Sequence, residues 1–275
     1  MIKQLIINAD DFGFSRSVTD GILYAHSAGI LTSTTLMTTM PDCDRALDLV
    51  QSHPTLGVGI HLSLTQGTPR YGRMKYLVSA DGQFPRQVRP LLQRLSLYRK
   101  ARAEAKAEWA AQIEYALRRH LQPTHLDSHK HIHHWPALAE IAMDLAGEYH
   151  IHYLRCADEM NLVGAPGLSP GYRALRFLAR RLKRRVTGSS LRTTDWFYGL
   201  AATGQFSSQT WLQLLALLPA GIGEVMVHPG YADDLDASRT RLTTQRRCEL
   251  DALCDPAVVK QAGAVEIQRV HFGQI

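Results

Sequence analysis

Five histidines and a carboxylate are crowded into one stretch, Thr124-His125-Leu126-Asp127-Ser128-His129-Lys130-His131-Ile132-His133-His134-Trp135-Pro136. His125, Asp127, His129, His131 and His133 recur with period two, so an extended segment would turn them to one face. Imidazoles gathered around a carboxylate suit a divalent metal or a site of proton transfer. The plainer alternative is a polar loop with chance histidines, and two other stretches argue against it.

Asp10 and Asp11 end the short apolar run Lys3 to Ala9. Inside a strand the two would point to opposite faces. Just past its end both can turn into one cleft, where one pKa would rise unless a cation lay between them. Their plainer role is a turn and a helix cap. His61 sits in the strand-like run Leu56 to Leu64, and His228 follows Gly223 to Val227 and opens a Pro-Gly turn. A hydrogen-bonded core histidine and a turn histidine are the plainer readings there. One Asp with two His makes a three-ligand site that leaves positions for water and substrate. Such a metal lowers the pKa of water from about 15.7 toward roughly 7 and polarises a carbonyl. A second carboxylate can take the water's proton, and a histidine opposite can protonate a leaving amine. These residues point to metal-assisted hydrolysis and do not name the substrate.

The elements that must position them alternate. Strand-like runs at 3–9, 31–39, 56–64, 152–155, 193–198 and 223–227 are separated by helical stretches, of which Ala101 to Leu121 is the most regular. Alternation argues for parallel strands joined by right-handed crossovers, with the site at the strands' C-terminal ends. Asp10, Asp11, His61, His129 and His228 all fall near such ends. Thr65 to Arg99 reads as a long loop carrying a short helix, of the kind that covers a substrate. With 275 residues, 45% of them hydrophobic, and no repeat or low-complexity linker, one domain is expected.

The four cysteines (Cys43, Cys156, Cys248, Cys254) lack metal or redox spacing and read as reduced thiols. No secretory signal or bilayer-length apolar run is seen, so a cytoplasmic protein is expected. The net charge of +6 is concentrated between Arg173 and Arg185, which holds seven basic residues and no acidic one. With Leu175, Leu178, Leu182 and Val186 at helical spacing, this run reads as a solvated helix or as an interfacial helix meeting anionic lipid. Nucleic acid is disfavoured because aromatic interleaving is thin, with Phe177 alone.

At these residues the chain resembles the YdjC-like carbohydrate deacetylase family. The matching pieces are Asn8-Ala9-Asp10-Asp11-Phe12-Gly13, Thr32-Ser33-Thr34-Thr35, Gly59-Ile60-His61-Leu62, Thr124-His125-Leu126-Asp127-Ser128-His129 and Glu224-Val225-Met226-Val227-His228-Pro229. The resemblance covers nearly the whole chain in order. It implies a distorted (β/α) TIM-like barrel over residues 1–275 and removal of an N-acetyl group from an N-acetylglucosamine-type sugar. By motif position it implies Asp11, His61 and His129 as ligands of one divalent ion, Mg2+ or Zn2+. Ligand softness suits zinc at least as well as magnesium. It also implies Asp10 as general base and His228 as general acid. His125, Asp127, His131 and His133 would then face the substrate or support the ligands.

The basic helical stretch at about 161–192 looks like an insertion found in the branch associated with hopanoid lipid biosynthesis. That implies a lipid-linked acceptor, an N-acetylglucosaminyl hopanoid, and peripheral contact with the inner membrane face through residues 173–186. A homodimer is left open. The competing readings are a sugar isomerase or phosphoester hydrolase on the same barrel, and a non-catalytic sugar- or membrane-binding protein. The isomerase or phosphoester reading lacks a second carboxylate ligand set and a glycine-rich phosphate cradle.

Overall fold

Strand β1 (Lys3–Phe12) is the centre around which the other elements are laid down. The computed structural model describes residues 3–72, 74–163, 169–238, 240–264 and 266–275. After β1 come α1 (Arg16–Ala28), β2 (Ser33–Leu36), α2 (Cys43–Val50), β3 (Gly57–Leu62), α3 (Val88–Leu97), α4 (Arg99–Arg118) and β4 (Leu126–Ser128). They are followed by α5 (Pro136–Glu148), α6 (Pro170–Thr187), β5 (Trp196–Tyr198), α7 (Ser208–Leu217), β6 (Gly221–Val227), α8 (Thr244–Leu253), α9 (Pro256–Ala262) and β7 (Ile267–Arg269).

The strands form one sheet in the order β4-β3-β2-β1-β6-β5, with β7 beside the start of β1, and every pairing is parallel. Helical crossovers between parallel neighbours account for the alternation read in the sequence. The sheet curls into a half-barrel. Between its edges only isolated parallel bridges are made, Leu126 with Leu154, Tyr153 with Arg192 and Glu159 with Phe197. The expected strand at 152–155 is reduced to two of these bridging residues. The two edge strands, each three residues long, make ladders only with β3 and β6 among the described residues. An eight-stranded barrel is therefore not formed among the described residues.

Apart from the short strand β7, the strands bury both faces, and the two faces differ. Leu5, Ile7 and Ala9 of β1, Val58, Ile60 and Leu62 of β3, and Val225 and Val227 of β6 pack outward into the main apolar core beneath the helices. The alternate residues Asn8, Asp10, Thr35, His61, Asp127 and Glu224 turn to the concave side, where they are buried and polar. Period-two alternation therefore separates structure from chemistry on each strand. At the bottom of the concave side a small apolar cluster of Ile6, Tyr153, Val270 and Phe272 closes the space.

The long loop after β3 is anchored by α4, whose buried face carries Trp109 and Ile113. Glu108 of α4 accepts from the Arg70 and Tyr71 amides at 3.0 and 2.6 Å. Glu104, one turn earlier, accepts from the Lys75 and Tyr76 amides at 2.8 Å each. Helix α6 contains the basic run, while residues 164–168 of the insertion lie outside the described residues.

Candidate active site

Asp10 and Asp11 lie within β1 rather than beyond its end. The register between β1 and β2 shifts between Ala9 and Phe12, and Asp11 takes a left-handed backbone with φ of 72°. This bulge breaks the alternation, so two adjacent carboxylates reach one cleft. The cleft, of about 720 Å3, is lined by Asp10, Asp11, His61, His129, His131 and His228 among others. These residues come from the C-terminal ends of β1, β3, β4 and β6, as the parallel sheet requires.

Asp11 Oδ1 lies 3.6 Å from His61 Nε2 and 3.2 Å from His129 Nδ1. This oxygen is buried, and no hydrogen-bond donor among the described residues is aligned on it. One carboxylate oxygen and two imidazole nitrogens lie within 4.8 Å of one another. An orphaned acceptor flanked by two imidazoles fits a divalent cation by donor type and by spacing. The other Asp11 oxygen accepts from Arg246 Nη2 of α8 at 2.5 Å. Asp10, His61 and Asp127 also converge within 4.8 Å, but Arg155 occupies both of those carboxylates.

Arg155 is fully buried and stands at the centre of the concave face. Its Nη1 and Nη2 each donate to Asp10 at 2.8 Å, and its Nε donates to Glu224 at 2.7 Å. Nη1 also pairs with Asp127 Oδ2. One guanidinium thus compensates three buried carboxylates, with the planar fork gripping Asp10 through both oxygens. Asp127 in turn accepts from His61 Nδ1 at 2.7 Å, and Thr35 Oγ1 donates to it at 3.2 Å. His61 and Asp127 are direct register partners of β3 and β4. Asp127 thereby fixes the His61 ring with Nε2 turned to Asp11.

The charges follow from these contacts. Burial alone would raise the Asp10 carboxyl, but Arg155 and then His61 hold it well below the usual carboxylate range. Asp11 behaves likewise, with burial opposed by Arg246 and His129. Burial would lower His61, yet Asp127 and Asp10 lift it to about 9. Burial pushes His228 down to about 4, against the pull of Asp10 and Asp11. Its Nδ1 has no hydrogen-bond partner among the described residues, and its backbone N–H donates to Glu249 Oε2 at 2.6 Å. Burial lifts Glu224 to about 7 even though Arg155 opposes the rise.

The histidine stretch does not run extended. After β4 it tightens into 3-10 turns from His129 to His134, with Lys130 and His131 at positive φ. The same-face expectation therefore fails beyond Asp127. His129 and His131 still reach the cleft. His133 bonds Ser128 Oγ at 2.6 Å and the Arg155 carbonyl at 3.0 Å, holding the backbone that carries the guanidinium. His125 does not line the cleft. It stacks on Phe272 at 3.9 Å between ring centroids, and a Cβ on Gly59 would meet its ring at 2.5 Å.

Sequence reading did not find Arg155, Arg246, Glu224 or Glu249. Glu224 carried a signal, a carboxylate inside an apolar strand, since such residues are almost never buried unpaired. Arg155 carried a similar one in its apolar flank. Arg246, in a helix rich in charge, carried none.

Fold and site together define an α/β protein with an Asp-His-His cluster, buried at Asp11 and His61 and partly open at His129, and a flanking Asp and His in one cleft at the rim of a curled parallel sheet. The profile of the YdjC-like protein family matches residues 4–262, and the chain belongs to that family. A carbohydrate deacetylase of Geobacillus stearothermophilus is 32% identical over 273 residues, 99% of this chain and 98% of that protein. A carbohydrate deacetylase of Brevibacillus brevis is 31% identical over 273 residues, covering 99% of each. Among solved structures, a protein of Enterococcus faecalis V583 assigned provisionally to cellobiose-phosphate cleavage superposes with a TM-score of 0.76. It is 28% identical and covers 100% of this chain and 99% of its own.

Proposed function

We propose that this protein is a metal-dependent carbohydrate deacetylase that hydrolyses the N-acetyl group of an N-acetylglucosamine-type sugar. The observation that carries the reading is the cluster of Asp11, His61 and His129 in the same cleft as Asp10 and His228. The full-length relatives named carbohydrate deacetylases support the substrate class.

Asp11, His61 and His129 would hold the ion, with Asp127 and Arg246 orienting the first two. A bound Mg2+ or Zn2+ supplies a Lewis acid that acidifies water and polarises an acetamide oxygen. Arg155 keeps Asp10 ionised, the state a proton acceptor requires, and makes it weakly basic, so it takes a proton only from an acidified donor. His228 is neutral at neutral pH and free at Nδ1 among the described residues. It must gain a proton during turnover before giving one to the leaving amine. His131 lines the cleft as a substrate-facing group.

The proposed acceptor is lipid-linked. An apolar groove of about 560 Å3 lined by Val88, Leu92, Leu97 and Trp135 begins two residues beyond Arg86, which itself lines the cleft. A hopanoid-type tail on the sugar would suit that groove, with the enzyme working at the cytoplasmic membrane face. No helix among the described residues is long and apolar enough to cross a membrane.

The test is acetate release from an N-acetylglucosaminyl lipid and from chitobiose, each with metal and with chelator. Asp10→Asn and His228→Gln are expected to lower kcat by roughly 10²–10⁴-fold with metal binding kept. His61→Ala should lose the metal. Metal bound without acetate from either substrate would overturn the reading. Acetate from chitobiose alone would keep the chemistry and remove the lipid.

A further inference from the structure

The outer face of α6 is a surface that the catalytic site does not use. Among its residues, Arg173, Phe177, Arg180, Arg181 and Arg184 are exposed. At 100° per residue they fall within about 100° of arc, a single stripe along the helix. The opposite face carries Ala179, Leu182 and Val186, which are buried against the body. The helix holds no acidic residue.

The basic residues of α6 divide into two sets. Arg176 and Arg180 face Asp158, at 3.9 and 2.9 Å. Arg185 faces Glu140 at 3.7 Å, and Lys183 donates to the Asp195 carbonyl at 2.5 Å. These anchor the helix to the body. Arg173, Arg181 and Arg184 meet no carboxylate among the described residues and stand in solvent. Between them Phe177 is 67% exposed. A solvated charged face has no use for a large aromatic side chain at its centre. A surface that is anionic outside and apolar beneath accepts both kinds of group.

The stripe is also tied to the cleft. Tyr172, at the start of α6, donates to Glu159 Oε2 at 2.5 Å. Glu159, itself buried, accepts from the Gly199 and Ala201 amides at 2.9 and 3.1 Å. Leu200, between them, lines the cleft. A body bound through α6 therefore has its cleft loop fixed relative to the bound surface.

We infer that the α6 stripe docks the protein on an anionic lipid bilayer, the arginines at the headgroups and Phe177 among the acyl chains. A second copy of the chain fits poorly, because two such stripes repel. Nucleic acid would satisfy the arginines and leave Phe177 unexplained. The inference stands on the surface alone and does not depend on the deacetylase reading, although a lipid-borne sugar would give it a purpose.

The experiment is co-sedimentation of the full chain with phosphatidylcholine vesicles, with and without phosphatidylglycerol, at low and high ionic strength. Binding is expected to the anionic vesicles only and to weaken with salt. Each arginine changed to Gln should lower the partition coefficient about five-fold, so Arg173→Gln, Arg181→Gln and Arg184→Gln together should lower it roughly 100-fold. Phe177→Ser should weaken the binding that survives at high salt. Acetate release from soluble chitobiose should be unchanged in all these variants, which separates failure of docking from failure of the catalytic reading. No vesicle binding at low salt, binding unaltered in the triple variant, or tighter binding to duplex DNA that ignores Phe177→Ser would each overturn the inference.

Discussion

His61 Nδ1 lies 2.7 Å from Asp127 Oδ1, while the other ring nitrogen of His61 faces Asp11 Oδ1 at 3.6 Å. The carboxylate selects which nitrogen is offered to a cation and raises its basicity. Asp127→Asn keeps the shape and removes that bias. Zinc affinity measured by calorimetry above pH 9, where His61 is neutral with or without the Asp127 charge, should fall roughly 10–100-fold with the fold intact. An unchanged affinity would show that Asp127 serves Arg155 alone.

Metal uptake should release a proton from His61. Asp127 and Asp10 lift this imidazole to about 9 against the effect of burial, so without added metal it is protonated at pH 7. A ligand must be deprotonated, so affinity should rise about ten-fold per pH unit from 7 toward 9 and level off above. Calorimetry in buffers of different ionisation enthalpy should count about one proton released at pH 7 from this group. A pH-independent affinity over that window would rule out the charged His61.

Arg155→Met should be among the most damaging single changes. It leaves Asp10, Asp127 and Glu224 buried without their shared cation, a loss of about 3–5 kcal/mol. The sign of its pH dependence follows from linkage. In the native protein Asp10 has a depressed pKa, so its contribution is present above the unfolded value near 3.9 and is lost as pH falls. In the variant Glu224 loses the one cation that opposed its burial and Asp10 keeps only the histidines, so both carboxyls rise and the folded state, through Glu224 above all, binds more protons than the unfolded. Its stability should then increase as pH falls. The gap in Tm between wild type and variant should narrow from pH 8 to pH 5 in scanning calorimetry. A constant gap would mean that packing, not charge, is what the arginine supplies.

Gly59→Ala tests the close approach of β3 and His125. A Cβ there would meet the imidazole at 2.5 Å and the His125 carbonyl oxygen at 2.6 Å, and the ring is pinned by its stack on Phe272. Overpacking of this kind costs about 1–3 kcal/mol, or a Tm lower by roughly 2–4 °C for each kcal/mol. Wild-type stability in this variant would show that both the ring and the backbone of residue 125 can give way.

Much of the scaffold was legible in the sequence because its signals are local. Apolar runs separated by helical stretches foretold parallel strands and crossovers, and Asp10, Asp11, His61, His129 and His228 do meet at one rim. The edges were less legible. The expected strand at 152–155 is two bridging residues, and the period-two histidines stop alternating after Asp127 because Lys130 and His131 adopt positive φ. Neither event leaves a mark in hydrophobic periodicity, since both depend on where the next strand lies.

The sequence by itself determined which chemical groups are present and that each stands near the end of an apolar run. Those properties follow from side-chain type and from a repeat of two along a strand. Only the tertiary structure decided how the charges are shared. Arg155 meets Asp10 from 145 positions away, and Arg246 meets Asp11 from 235. Such pairings answer to the cost of burying a carboxylate, which is set by where the folded chain excludes water and not by any neighbour in the sequence.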